Sequence, residues 1–176
     1  MKYRMVFCAV AVCIVSLVAQ TALPTGYGGV TLGMTFDAAR AAISTNSEFG
    51  FTGERDVSLL TGENRTLIET DPKTRVAFSF LDRCWFQFED DRLTAITILL
   101  NAERIDHYSV FTALMEKYGA PDSLSPQKAV WQNQTVVMSL ERPLTLKYVI
   151  ATPVEAVTVL PPGATEASRR AFLNGL

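Results

Sequence analysis

The stretch GGVTLGMT, Gly28–Thr35, sets Gly28, Gly33 and Thr35 at the spacing of a phosphate-binding loop, G-x-x-x-x-G-K-[ST]. In such a loop backbone N–H groups cradle the phosphates and the lysine reaches the β- and γ-phosphates. Here the lysine position is Met34. No β-rich run precedes the stretch, and no acidic strand end follows to hold magnesium. The residues therefore read as a conformational device: Gly33 permits a tight turn, and Thr35 caps a helix that starts at Phe36.

Other chemistry-bearing side chains are sparse. His107 is the single histidine, with Glu103 and Asp106 beside it. Zinc takes three or four ligands, drawn mainly from His and Cys, so this trio reads as a water-exposed first turn of a helix. Glu89, Asp90 and Asp91 make an acidic corner, but calcium needs more oxygen ligands and a glycine-bearing loop, so the corner reads as a hairpin turn. A Ser-His-Asp mechanism would have to run through His107, and no G-x-S-x-G is present. No pattern singles out a carboxylate pair for glycoside hydrolysis. Cys84 falls in phase with Phe86 and Phe88, as a buried thiol does. The expectation is a non-enzyme with no catalytic, cofactor-binding or metal-binding residues and no cofactor.

Trp85 falls out of phase with those phenylalanines, beside Gln87. A tryptophan on a half-polar sheet face is a candidate anchor for a partner. Glu89, Thr97, Leu99, Ser139 and Lys147 extend the same protein-binding face if the sheets around them are continuous. The alternative is that Trp85 packs under a second unit, the N-terminal lead-in or a terminal helix.

The elements that must position these residues follow from periodicity. Phe36, Ala39 and Ile43 at helical spacing give a helix to Thr45. Phe49–Gly53 and Asp56–Leu60 suggest short strands, Thr61–Asn64 a turn, Arg65–Glu69 an extended run and Asp71-Pro72 another turn. Period-2 alternation then predicts a three-stranded meander: Val76–Leu81, a tight connection at Asp82-Arg83, Cys84–Glu89, a turn at Asp90-Asp91, and Thr94–Leu100. The face with Phe78, Phe80, Phe86, Phe88, Ile96 and Ile98 is expected in the core. The face with Ser79, Gln87, Glu89 and Thr97 is expected half in water.

Asp106 caps a second helix with the stripe Val110, Phe111, Leu114, Tyr118, ended by Gly119 and Pro121. Val130–Asn133, Thr135–Glu141 and Leu144–Ile150 form a second meander. The tail suggests a strand at Val157–Leu160 and a helix from Thr165 to about Leu173. The fold class expected is α+β: two tandem helix-plus-antiparallel-sheet units, each laying its helix on one sheet face. The units are residues 30–105 and 106–160, after a lead-in at 20–29 and before a tail at 161–176.

The start of the chain bounds the compartment. Lys2 and Arg4 precede an uncharged run, Met5–Ala19, shorter than the roughly 20 apolar residues that span a bilayer. It reads as a secretory signal, residues 1–19, with an uncleaved anchor as the alternative. The expected location is periplasmic or secreted. Without Lys2 and Arg4, the 16 basic residues fall to 14 against 18 acidic ones, a net charge near −4. That balance argues against nucleic acid and against electrostatic membrane binding. Only Cys84 lies beyond the signal, so no intramolecular disulfide is expected.

Three motifs carry a family resemblance. TLGMTFDAARAAI (Thr31–Ile43) resembles the L-G-M-[ST]-x-x-x-[AV] opening of small bacterial envelope proteins. These are the outer-membrane-assembly small lipoproteins and the β-lactamase-inhibitor-like superfamily. KYGAPD (Lys117–Asp122) resembles their helix-ending G-x-P, and FEDDRLTAITILL (Phe88–Leu100) their F-x-[DN]-[DG]-x-L-x-x-I strand pair. In that group L-G-M and G-x-P bracket one helix. Here they lie on two, as in a tandem whose units each keep half the pattern, and the lipid-anchor cysteine is missing. The resemblance implies a β-lactamase-inhibitor-like fold and binding to another envelope protein. The function expected is therefore a non-catalytic protein-binding module that uses an open sheet face. The alternative is a carrier of a small apolar ligand or lipid, held between helix and sheet.

Overall fold

The computed structural model describes residues 22–61 and 64–151. The signal, the strand expected at 157–160 and the helix expected at 165–173 lie outside them. The protein is mixed α+β with one large antiparallel sheet.

The lead-in is a small hairpin, β1 (Gly26–Tyr27) against β2 (Val30–Thr31). Gly28 sits in its turn at φ +61°, where a Cβ would come within 2.7 Å of the Phe49 ring. Gly33, at φ +84°, has open space around it, so its backbone conformation alone calls for glycine. Met34 is partly buried against the core.

Helix α1 (Phe36–Thr45) has the expected bounds. Thr35 Oγ1 accepts from Ala38 N at 3.3 Å, and Asp91 Oδ1 accepts from Phe36 N at 3.1 Å. Two of the free N–H groups at the helix start are thereby met. Ala39 and Ile43 are fully buried. The expected strand at Phe49–Gly53 is absent: Ser47–Phe49 is a single 3-10 turn. The next strand is β3 (Val57–Leu59), followed by β4 (Arg65–Thr70).

Residues 71–81 depart most from expectation. Asp71 Oδ1 accepts from Thr74 N and caps a short helix α2 (Pro72–Arg75), where a turn was expected. Pro72 at the first helical position suits this, because its missing N–H would be unpaired there anyway. The strand expected at Val76–Leu81 does not form. Phe78 has φ +59°, a left-handed conformation no strand contains. Ser79 Oγ bonds both Leu81 N and Leu81 O, and Asn101 Nδ2 donates to Ser79 O. Pinned this way, the chain turns Phe78 and Phe80 outward, 79% and 59% exposed, while Ser79 is buried. The tight connection expected at Asp82-Arg83 is an irregularity within one strand instead: β5 runs from Leu81 to Glu89, with its pairing shifted between Leu81 and Arg83.

A two-residue turn, Asp90-Asp91, with both residues at positive φ, leads to β6 (Arg92–Leu100). A bulge shifts the pairing between Gln87–Ala95 and Phe88–Leu93. Thr94 is the extra residue, so Leu93 rather than Thr94 joins the core. Helix α3 (His107–Tyr118) follows, capped by Asp106, which accepts from Ser109 N at 2.9 Å. Then come β7 (Ser123–Leu124), β8 (Lys128–Gln132), β9 (Val136–Glu141) and β10 (Thr145–Ile150).

The two expected meanders are one sheet, ordered β3-β4-β5-β6-β10-β9-β8-β7. Both halves run inward, and β6 pairs antiparallel with β10 at the centre, Ile98 opposite Leu146. One continuous core backs the sheet, with Phe49, Phe86, Phe88, Ile96 and Ile98 in it alongside Trp131, Met138, Leu140 and Tyr148. Phe49 meets Phe86 edge-to-face at 5.3 Å, and Phe36 meets Phe88 at 5.2 Å.

Candidate functional site

Strand pairing fixes which side chains share a face, since residues directly opposite across strands project the same way. One row crosses five strands: Glu69, Trp85, Thr97, Lys147 and Ser139. The row beside it holds Leu67, Gln87, Ala95, Val149 and Val137. On the other flank Arg83, Leu99, Thr145 and Glu141 line up. All of these alternate with the core residues, so they form the face opposite the buried one.

Every residue singled out from the sequence for this face is on it, in register. Trp85, Gln87, Thr97, Leu99 and Lys147 are half-buried, Glu89 is exposed and Ser139 is buried. Ser139 lies between Lys147 and Val130 in the register, and its Oγ donates to Glu141 Oε1 at 3.0 Å. It belongs to the floor of the face. Among the described residues the Trp85 indole N–H has no protein acceptor.

Leu67, Val137 and Val149 complete the surface and were missed from sequence. Their signal was legible: at each of these positions the out-of-core residue of an alternating strand is aliphatic, where a solvated face carries a polar one. The face thus mixes the two kinds of side chain: aliphatic Leu67, Ala95, Val137 and Val149 lie beside the largely polar row that holds Trp85. Ion pairs stand around it: Arg83 with Glu69 at 3.1 Å, Arg65 with Glu89 at 4.0 Å, and Lys128 with Glu141 at 2.9 Å. The bond from Lys128, chiefly, holds the Glu141 carboxyl below its usual range.

Cys84 lies on the opposite, buried face, where burial pushes its thiol up to about 12. A thiol so shifted has almost no thiolate at neutral pH and is no nucleophile. His107 is half-buried, where a water-exposed position was expected, and burial, with the Arg142 charge second, lowers its pKa. Its neighbour Asp106 engages Ser109 through both carboxylate oxygens, at 2.9 Å to N and 2.7 Å to Oγ. Among the described residues no group of three or more His, Cys, Asp or Glu is placed to hold a metal ion.

The family model of the TP0088 domain matches residues 25–158. The chain belongs to this family. The TP0088 domain match spans helices α1, α2 and α3 and the whole eight-stranded sheet, so the open sheet face lies inside it. No curated protein and no solved structure matches the chain.

Proposed function

We propose that this TP0088 domain is a non-catalytic, exported protein-binding module of the bacterial envelope, and that its partner, another envelope protein, docks on the open sheet face. The observation that carries the reading is the register: Trp85, Thr97 and Lys147 stand side by side across three central strands, beside aliphatic Ala95, Leu99 and Val149 and with ion pairs at the edges. A half-buried aromatic anchor with aliphatic neighbours and charged side chains at the rim is a feature of protein interfaces. Burial of Trp85 supplies the anchor, and Glu89 and Lys147 set orientation.

The inward-running order of the sheet supports a tandem of two helix-plus-sheet units joined at β6 and β10. The L-G-M-T entry to α1 and the G-A-P after α3 support a β-lactamase-inhibitor-like ancestry for those units, in which binding other proteins is the common role. The basic start and uncharged run of the N-terminus support export to the periplasm or beyond.

A photo-crosslinking residue placed at Thr97 in cells tests the face. The expected result is a discrete adduct with one protein, lost when Trp85→Ala is added. A control residue at Ala41, exposed on α1, gives no such adduct. Equal adducts from both positions, or an adduct indifferent to Trp85→Ala, would remove the assignment.

A further inference from the structure

On the helical side of the sheet a cavity of about 700 Å³ opens between the start of α3, the β7–β8 hairpin and the β9–β10 turn. That volume is in the range of sites for small organic ligands. Its walls are apolar: Tyr108 and Phe111 from the helix, Leu124 and Pro126 from the hairpin. Tyr108 is 76% exposed and Leu124 65% exposed, large side chains standing in water beside the cavity.

The charges lining the cavity differ in what they have left to bind. Lys128 is paired with Glu141, and Asp106 is engaged by Ser109. Burial, with the Arg142 charge second, lowers the pKa of His107 and so disfavours its charged form. Arg142 is different. Its Nε donates to Pro126 O at 3.0 Å and its backbone N–H to Gln127 O at 2.9 Å, which fixes the side chain against the hairpin. Among the described residues its two terminal nitrogens have no acceptor and no carboxylate within 4 Å. A guanidinium held by Nε presents the rest of its planar fork to a carboxylate or phosphate. With one free positive charge, and the Asp106 carboxylate lining the same cavity, a singly charged head is matched and a dianion is opposed.

We infer that this groove is a binding site for a small amphipathic monocarboxylate, its apolar body seated between Tyr108 and Leu124 and its carboxylate on Arg142. The site is separate from the sheet face and stands without it. The groove beside α1 is an internal contrast. It has a similar volume, about 680 Å³, and apolar walls of Phe36, Val57, Leu59 and Phe88, but its charged residues are Asp90 and Asp91. It repels the head that the α3 groove accepts.

Titration calorimetry of the full chain with decanoate, decanol and decyl phosphate tests the assignment. Decanoate binds saturably at one site, and more tightly than decanol or decyl phosphate. Because Arg142 is exposed to water, Arg142→Gln weakens decanoate only about three- to tenfold, and decanol by less than about twofold. Leu124→Glu, at a position 65% exposed, abolishes decanoate binding while the circular dichroism spectrum stays that of the parent, whereas Trp85→Ala leaves binding unchanged. Any of the following overturns the inference: no saturable decanoate binding, decanoate affinity unchanged in both variants, or tighter binding of decyl phosphate than of decanoate.

Discussion

The two tryptophans within the described residues sit on opposite faces of one sheet. Trp131, on β8, is 2% exposed, donates from Nε1 to Gly119 O at 2.9 Å and packs against Phe111. Trp85, on β5, stands between Glu69 and Thr97 with its indole N–H unclaimed among the described residues. A buried indole needs its N–H satisfied, and Trp131 meets that need at the C-terminal cap of α3, locking helix to sheet. Trp85 leaves its polar handle open on a face of mixed aliphatic and polar side chains. One residue type thus does structural work on one side and offers contact area on the other.

The contrast can be broken or sharpened by substitution, starting with the largest effect. Trp131→Ala removes a core anchor and a buried hydrogen bond, with an expected loss of about 3–5 kcal/mol in urea denaturation. Arg75→Ala removes the charge partner of the Asp56 carboxylate, which is 2% exposed and held by Arg75 at 2.8 Å, and leaves it only the Thr52 N–H and hydroxyl. Because Arg75 itself reaches solvent and Thr52 still binds Asp56, the expected loss is about 2–3 kcal/mol, less than for a fully buried pair. Trp85→Ala is expected to cost no more than about 1 kcal/mol, the scale of a cross-strand contact, while partner capture disappears. A loss for Trp85→Ala as large as that for Trp131→Ala would erase the distinction between the faces.

Two smaller effects concern titration. Asp106 is held below its ordinary range by the Ser109 hydroxyl and then the Ser109 backbone, and Glu141 chiefly by Lys128. Both folded-state values are depressed. Their contribution is therefore complete above the ordinary carboxylate range and is lost as pH falls through the folded-state values. Denaturation midpoints should decline below about pH 4. Glu141→Gln should make that decline shallower, as followed by circular dichroism. The smallest expected signal is from Cys84: a thiol-specific reagent at pH 8 should leave Cys84 unlabelled in folded protein and label it fully in denaturant, as read by peptide mass spectrometry.

Legibility tracked how local the determining interactions were. Helices α1 and α3 were readable because cap, stripe and stop all lie within one short segment, as from Thr35 to Asn46. The open face was readable because alternation through Trp85, Gln87 and Thr97 survives any arrangement of strands. Val76–Leu81 alternates just as well, yet it is no strand. Its conformation is decided by the Asp71 cap before it and by Asn101, which lies beyond a whole hairpin. The α3 groove was hidden for the same reason: Tyr108, Leu124 and Arg142 come from three separate elements, and no spacing announces their meeting. The joining of the halves also depends on distant pairing, β6 with β10.

That central pairing has a consequence for how the chain is made. When residues through Leu100 have left the ribosome, β6 is a bare edge carrying Ile96 and Ile98, and it stays so until Leu146 and Tyr148 arrive. An apolar strand left unpaired that long invites pairing with a neighbouring chain. A nascent copy stalled between α3 and β10 is therefore the form most prone to aggregate, and a holding chaperone that shields β6 would protect it most.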